Sequence, residues 1–163
     1  MTGTGLRRIR QAGQGTGSSG EATCAKLIWF RAAPGRHDEY SAYLHDHVEP
    51  IDREAVREGA LLDMITLLNP TGDAEEGSHH DGTPADSPAA KDRKPGAAAN
   101  PAHGWTHLRI FLFDSAEQRA AVKSAFARIA PRLEPDGTLR ESRKAAGTAL
   151  RSLVAEQDVD LLG

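Results

Sequence analysis

The chain has 163 residues, 39% apolar, 26% charged and 5% aromatic, with a formal charge of -3, which is material for one ordinary domain and excludes a large multidomain enzyme. It contains no apolar run long enough for a membrane-spanning helix, and its near-neutral charge argues against a nucleic-acid-binding surface. The lone cysteine, Cys24, excludes an internal disulfide and a multi-cysteine zinc site, and suits a reducing, cytoplasmic setting.

Residues 1–22 are built from Gly, Thr, Ser and Gln with Arg7, Arg8 and Arg10, and have almost nothing to bury, so a disordered tail is expected. Gln-Ala-Gly-Gln-Gly follows Arg10 where a secretory signal needs an apolar stretch, so no such signal is expected. The folded part is predicted as one domain over 23–163. Thr23 to Ala33 is rich in strand formers and is broken by Pro34-Gly35, which predicts the first strand and its turn.

A helix is predicted from Asp38 as N-cap. Tyr40, Leu44, Val48, Ile51 and Ala55 recur at steps of three and four, while Asp46, Glu49, Asp52 and Arg53 fall mostly elsewhere. Pro50 removes a backbone donor, so a kink or restart is expected there, and Gly59 ends the helix. Leu61 to Leu68 reads as a second strand. Next comes a low-complexity insert over about 70–104, without hydrophobic period and rich in Ala, Pro and Gly, which is expected to be disordered.

Trp105 to Phe113 is the clearest strand. Asp114 or Ser115 caps the following helix, in which Val122, Phe126, Ile129 and Leu133 repeat at four, three and four residues. Arg119, Lys123, Arg128 and Arg132 form its polar face. Leu150, Leu153 and Val154 fit either one more helical turn or a short edge strand, before the acidic Glu156, Asp158 and Asp160.

This order predicts an α+β fold: a ferredoxin-like split βαβ unit whose helices cover one face of an antiparallel sheet. In the Trp105–Phe113 strand, Thr106, Leu108, Ile110 and Leu112 make a plain apolar face that suits the helices. The other face, Trp105, His107, Arg109, Phe111 and Phe113, mixes aromatic and charged groups as a sheet-on-sheet interface or a ligand cavity does. Large apolar groups on both faces of the first strand, with too few helices to cover both, predict a homodimer.

The strand Lys26-Leu-Ile-Trp-Phe-Arg, the turn Pro34-Gly35-Arg36 leading into Asp38-Glu39-Tyr40, the segment Val48-Glu49-Pro50-Ile51 and the later aromatic strand together resemble the dimeric α/β-barrel superfamily. The resemblance covers about 105 residues, the size of one domain. It implies ferredoxin-like subunits paired sheet to sheet around a pocket. Members include cofactor-independent monooxygenases, polyketide cyclases and haem-handling enzymes, so membership alone does not fix a reaction.

His107 and Arg109, two apart on a strand, point to the same side and are the candidate catalytic pair: a general base near neutral pH and a cation for the resulting oxyanion. Trp29, Arg31, Asp63 and Phe111 are the candidate ligand-binding residues, for a small hydrophobic or aromatic molecule at the dimer interface. The competing reading is a noncatalytic homodimeric scaffold, in which Arg109 pairs with Asp63 and the polar groups only build the interface. A third is a monomeric regulatory module, which must cover the mixed face in another way. No metal site or cofactor is expected. His45 and His47 point about 200° apart on an α-helix and cannot share an ion, His79-His80 lies in the insert, and no phosphate loop or nucleophile elbow occurs.

Overall fold

The computed structural model describes residues 7–11, 20–69 and 104–161. The expected insert therefore lies outside the described residues except for Gly104, as do 1–6 and 12–19 of the expected tail. Five strands, β1 (Arg7–Gln11), β2 (Cys24–Ala32), β3 (Asp63–Leu68), β4 (His107–Phe113) and β5 (Arg151–Asp160), form one sheet in the order β1-β3-β4-β2-β5, with every neighbouring pair antiparallel. Within the segment expected to be a disordered tail, Arg7–Gln11 is thus an edge strand on β3. The long β5 settles the ambiguous ending as a strand, held against β2 from Cys24↔Asp160 to Ala32↔Arg151.

The turn at Pro34-Gly35, with Gly35 at φ +71°, leads into helix α1 (His37–Tyr43). Asp38 lies inside its first turn rather than capping it, and there its carboxylate suits the helix dipole. A π-helical turn (Leu44–Val48) follows, and α2 (Glu49–Arg57) restarts with Pro50 in its first turn, where a missing N–H costs nothing. Gly59, at φ +74°, turns the chain toward β3.

Helix α3 (Ala116–Leu133) is capped by Ser115, whose Oγ accepts from the Gln118 N–H at 3.2 Å. A fourth helix, α4 (Gly137–Ala149), stands apart from α3 because Pro135 interrupts the run and Asp136 caps a new start, accepting from the Leu139 N–H at 3.0 Å. Arg119, Lys123, Arg128 and Arg132 all lie on α3, and Arg140, Arg143 and Lys144 on α4. Among the described residues no helix is long and apolar enough to cross a membrane.

Strand alternation and register decide what the helices cover. Cys24, Met64, Phe111 and Phe113 pack with Ala55 of α2 and with Val122, Ala125 and Ile129 of α3. Phe30 and Ala32 pack with Tyr40, Leu44 and Leu150. Each fully buried Leu, Ile or Phe of this layer contributes roughly 1.5–3 kcal/mol. Both clusters lie on the β4 face that carries His107 and Arg109, so the expected assignment is reversed: the mixed face lies under the helices, and the plain one looks away from them. The reason is that the helices themselves bring partners for the polar groups.

The face turned away from the helices holds Ala25, Leu27 and Trp29 of β2, Ile65 and Leu67 of β3, and Leu108, Ile110 and Leu112 of β4, aligned in register. Leu27, Ile65, Leu67, Ile110 and Leu112 are only half-buried. With strands about 4.8 Å apart and a rise of about 3.3 Å per residue, this patch spans on the order of 400 Å².

Candidate functional site

The helix-side polar cluster is built around His107, which is fully buried at the start of β4. Thr106 Oγ1 lies 2.8 Å from its Nδ1 and Ser41 Oγ 3.0 Å from its Nε2, so the ring ties α1 to the sheet. Ser41 Oγ also lies 2.9 Å from the His37 carbonyl, and Thr106 Oγ1 accepts the Ala32 N–H at 2.8 Å. The shortest set of bonds is satisfied by one tautomer: Thr106 donates to Nδ1, Nε2–H donates to Ser41, and Ser41 donates to His37 O. The alternative tautomer sends the Thr106 proton to Phe30 O at 3.4 Å, a longer bond.

Burial, with the neighbouring His37 as a lesser cause, lowers the His107 pKa to about 3. A neutral ring whose acceptor nitrogen already holds a proton donor is a poor general base near neutral pH. The His37 ring lies 4.7 Å from His107 and the Tyr40 ring 4.6 Å from it. His37 is half-buried, and its Nε2 is buried without a hydrogen-bond partner among the described residues.

Arg109 shares the helix side with His107, as their spacing requires. Its Nη2 donates to Asp52 Oδ2 of α2 at 2.5 Å, and its guanidinium lies 4.7 Å from the centre of the Phe111 ring. The pairing with Asp63 is therefore corrected. Asp63 lies at the start of β3 on the opposite face and accepts its neighbour's Met64 N–H at 2.8 Å. Desolvation raises the Asp52 pKa against the opposing pull of Arg109.

The structure divides the six candidate residues. His107, Arg109 and Phe111 lie under the helices, Phe111 as part of the core. Trp29 and Asp63 lie on the other face, so no single pocket holds Trp29 with His107 and Arg109. Arg31, at the end of β2, donates from Nε to the Gly104 carbonyl, and a methyl group at Gly104 would overlap its guanidinium.

Tyr40, Ser41, Asp52, Thr106 and Arg151 are the site residues that sequence reasoning did not single out. Tyr40 is fully buried and its hydroxyl has no hydrogen-bond partner among the described residues. Burial raises its pKa to about 12, although Arg151 and Arg109 stand near enough to oppose the shift. Arg151 stacks its guanidinium 4.0 Å from the centre of the Phe30 ring. The phenol therefore stays protonated at all physiological pH values, with the Arg151 guanidinium 5.8 Å from its ring centre.

His45 and His47 lie on the π turn and serve different neighbours: His45 Nδ1 is 2.7 Å from Asp46 Oδ1, and the His47 ring packs edgewise on Tyr43 at 5.4 Å. Among the described residues no group of three His, Cys, Asp or Glu side chains is placed to hold a metal ion. Cys24 is buried in the core. His79-His80 lies outside the described residues. No protein-family model, curated protein or solved structure matches the chain.

Proposed function

We propose that the chain is a ferredoxin-like subunit of a homodimeric α/β barrel, and that it acts through binding and pairing rather than through catalysis by His107. What carries this reading is the in-register apolar face of β3, β4 and β2, which no described helix covers. A patch of that extent matches the largest apolar patch of an ordinary monomer, a size that is often functional. It is uncharged across its centre, so a two-fold copy of the same face complements it. The order β3-β4-β2-β5, with helices on one side only, is the order of a split βαβ unit and supports the ferredoxin-like reading.

In such a dimer the interior is lined by the half-buried Leu27, Ile65, Leu67, Ile110 and Leu112 from both copies, over Trp29 and Leu108 that are already buried in each, a lining for a packed seam or a small apolar or aromatic molecule. Sedimentation at micromolar concentration should give a dimer, and Ile110→Lys, which places a charge at the centre of the seam, should give a folded monomer. A wild-type monomer at every concentration reached overturns the proposal.

A second reading, a monooxygenase- or cyclase-like enzyme working on the helix side, is favoured by one observation: the buried Tyr40 hydroxyl has no hydrogen-bond partner among the described residues, and the Arg151 guanidinium lies 5.8 Å from its ring centre. Such a phenol suits donation to an oxyanion. Turnover of an aromatic polyketide-like compound that is lost in Tyr40→Phe with folding retained supports this reading. Turnover unaffected by that change removes it.

A further inference from the structure

Outside the sheet, the helix layer contains a cleft of about 520 Å³ between the π turn and the start of α2 on one side, and the end of α3 with α4 on the other. Its size lies within the range of small-molecule sites. Val48, Ile51, Ala127, Ala130 and Pro131 give it an apolar floor, and the paired rings of Tyr43 and His47 form its inner wall.

The charged rim is not evenly neutralised. Arg143 is held by the Glu134 carboxylate and Lys144 faces Glu141 at 3.7 Å, while Asp46 hydrogen-bonds the His45 ring at 2.7 Å and keeps its own charge at the far side of the rim. Arg140, also on the rim, has no carboxylate within ion-pair distance among the described residues. Instead it donates from Nη1 to the Glu134 main-chain carbonyl at 2.9 Å, at the C-terminus of α3. That bond fixes the half-buried guanidinium at the cleft and leaves its other N–H groups to a ligand.

We propose that this cleft binds an amphipathic monoanion, an apolar or aromatic body on the floor with one carboxylate or sulfonate on Arg140. The apolar floor selects the body and the fixed guanidinium selects the anion, since a bidentate oxyanion matches the geometry of its fork. The site uses the helix layer alone and is independent of how the sheet face is covered.

Two fluorescent dyes with the same body separate the parts: anilinonaphthalene sulfonate, which is anionic, and phenylnaphthylamine, which is neutral. Both should bind the wild-type protein. Arg140→Gln should weaken the anionic dye about tenfold, the effect of losing one charge-assisted contact, and leave the neutral dye within about twofold. Ala127→Trp, at an exposed helix position facing the cleft, should remove both without altering the far-ultraviolet circular dichroism.

Failure of the anionic dye to bind overturns the proposal. So does binding untouched by Ala127→Trp, which places the dye elsewhere, the sheet face included. Equal loss of both dyes in Arg140→Gln overturns the assignment of the anion to Arg140. If Ala127→Trp unfolds, Lys144→Gln provides the control: as an exposed rim cation facing Glu141, it should change the anionic dye's affinity by less than about twofold, and a loss equal to that of Arg140→Gln replaces the fixed guanidinium with diffuse charge and overturns the proposal.

Discussion

Protonating His107 should cost the fold more than protonating any surface histidine. Its ring is fully buried, its two nitrogens hold Thr106 and Ser41, and burial lowers its pKa from 6.5 to about 3. The unfolded chain therefore binds this proton between pH 6.5 and 3 while the folded chain does not. Stability is then fully present above pH 6.5 and falls as the pH drops, at up to about 1.4 kcal/mol per unit. By pH 5 this single group should have withdrawn about 2 kcal/mol, a large part of a typical domain's margin. Asp52 works in the opposite direction, because a carboxyl raised by burial takes its proton earlier in the folded state. Urea unfolding at pH 7.5 and pH 5, at one fixed protein concentration, compared between wild type and His107→Gln, isolates the histidine. At pH 7.5 the variant should lose about 1–3 kcal/mol from the broken ties to α1 and Thr106. Its further loss on acidification should be about 2 kcal/mol smaller than that of wild type. Equal acid sensitivity in the two proteins would refute the assignment of His107 as a buried neutral tie.

Three further outcomes follow from the packing. Arg109→Met should cost about 3–5 kcal/mol in urea unfolding, because it leaves the Asp52 carboxylate buried without its cation, and adding Asp52→Leu should restore much of the loss. Gly147→Ala should lower the melting temperature, since a Cβ there falls inside the Tyr43 ring, and Tyr43→Ala in the same chain should cancel most of the difference. Tyr40→Phe should leave stability unchanged or raise it by about 1 kcal/mol, as a buried hydroxyl without a partner contributes only its desolvation cost; a loss above that size would mean the hydroxyl has a partner in solution.

Strands and turns were legible because their signals are local. Pro34-Gly35, Gly59 and Ser115 mark boundaries by backbone conformation or capping alone, and β2, β3 and β4 appear within two residues of where apolar runs place them. The partner of Arg109 was not legible, and the π turn is the reason. From Tyr40 and Leu44 an uninterrupted α-helix carries its buried stripe to Val48 and Ile51, which leaves Asp52 toward solvent. The π turn inserts one residue, and Glu49 and Asp52 join the expected Ala55 as the buried positions after it. Asp52 thereby rotates onto Arg109, and no spacing rule for a regular helix brings the two together. The ladder of β1 on β3 was missed for a different reason: an edge strand made of Arg7-Arg8-Ile9-Arg10-Gln11 lacks the apolar content by which strands are recognised.

The reversal of the sheet's faces has a physical logic that bears on function. A buried imidazole or guanidinium is tolerated only where the same fold supplies its partners, because an unpaired one costs several kcal/mol. Ser41 of α1 and Asp52 of α2 are such partners, and both arrive on the helix side. A face that must wait for a second molecule cannot be stocked with groups that need partners beforehand. Alone it has to tolerate water and in a complex it has to be dry, and the half-buried Leu27, Ile65, Leu67, Ile110 and Leu112 suit both conditions, while Ala25, Trp29 and Leu108 of the same face are already buried. The polar side of the strands therefore marks what the chain completes by itself, and the plain apolar side is the face that the proposed pairing uses. Ile110→Lys tests the proposed pairing directly: it should leave the His107 and Arg109 ties, and hence the folded chain, intact while lowering the sedimentation coefficient from that of a dimer to that of a monomer.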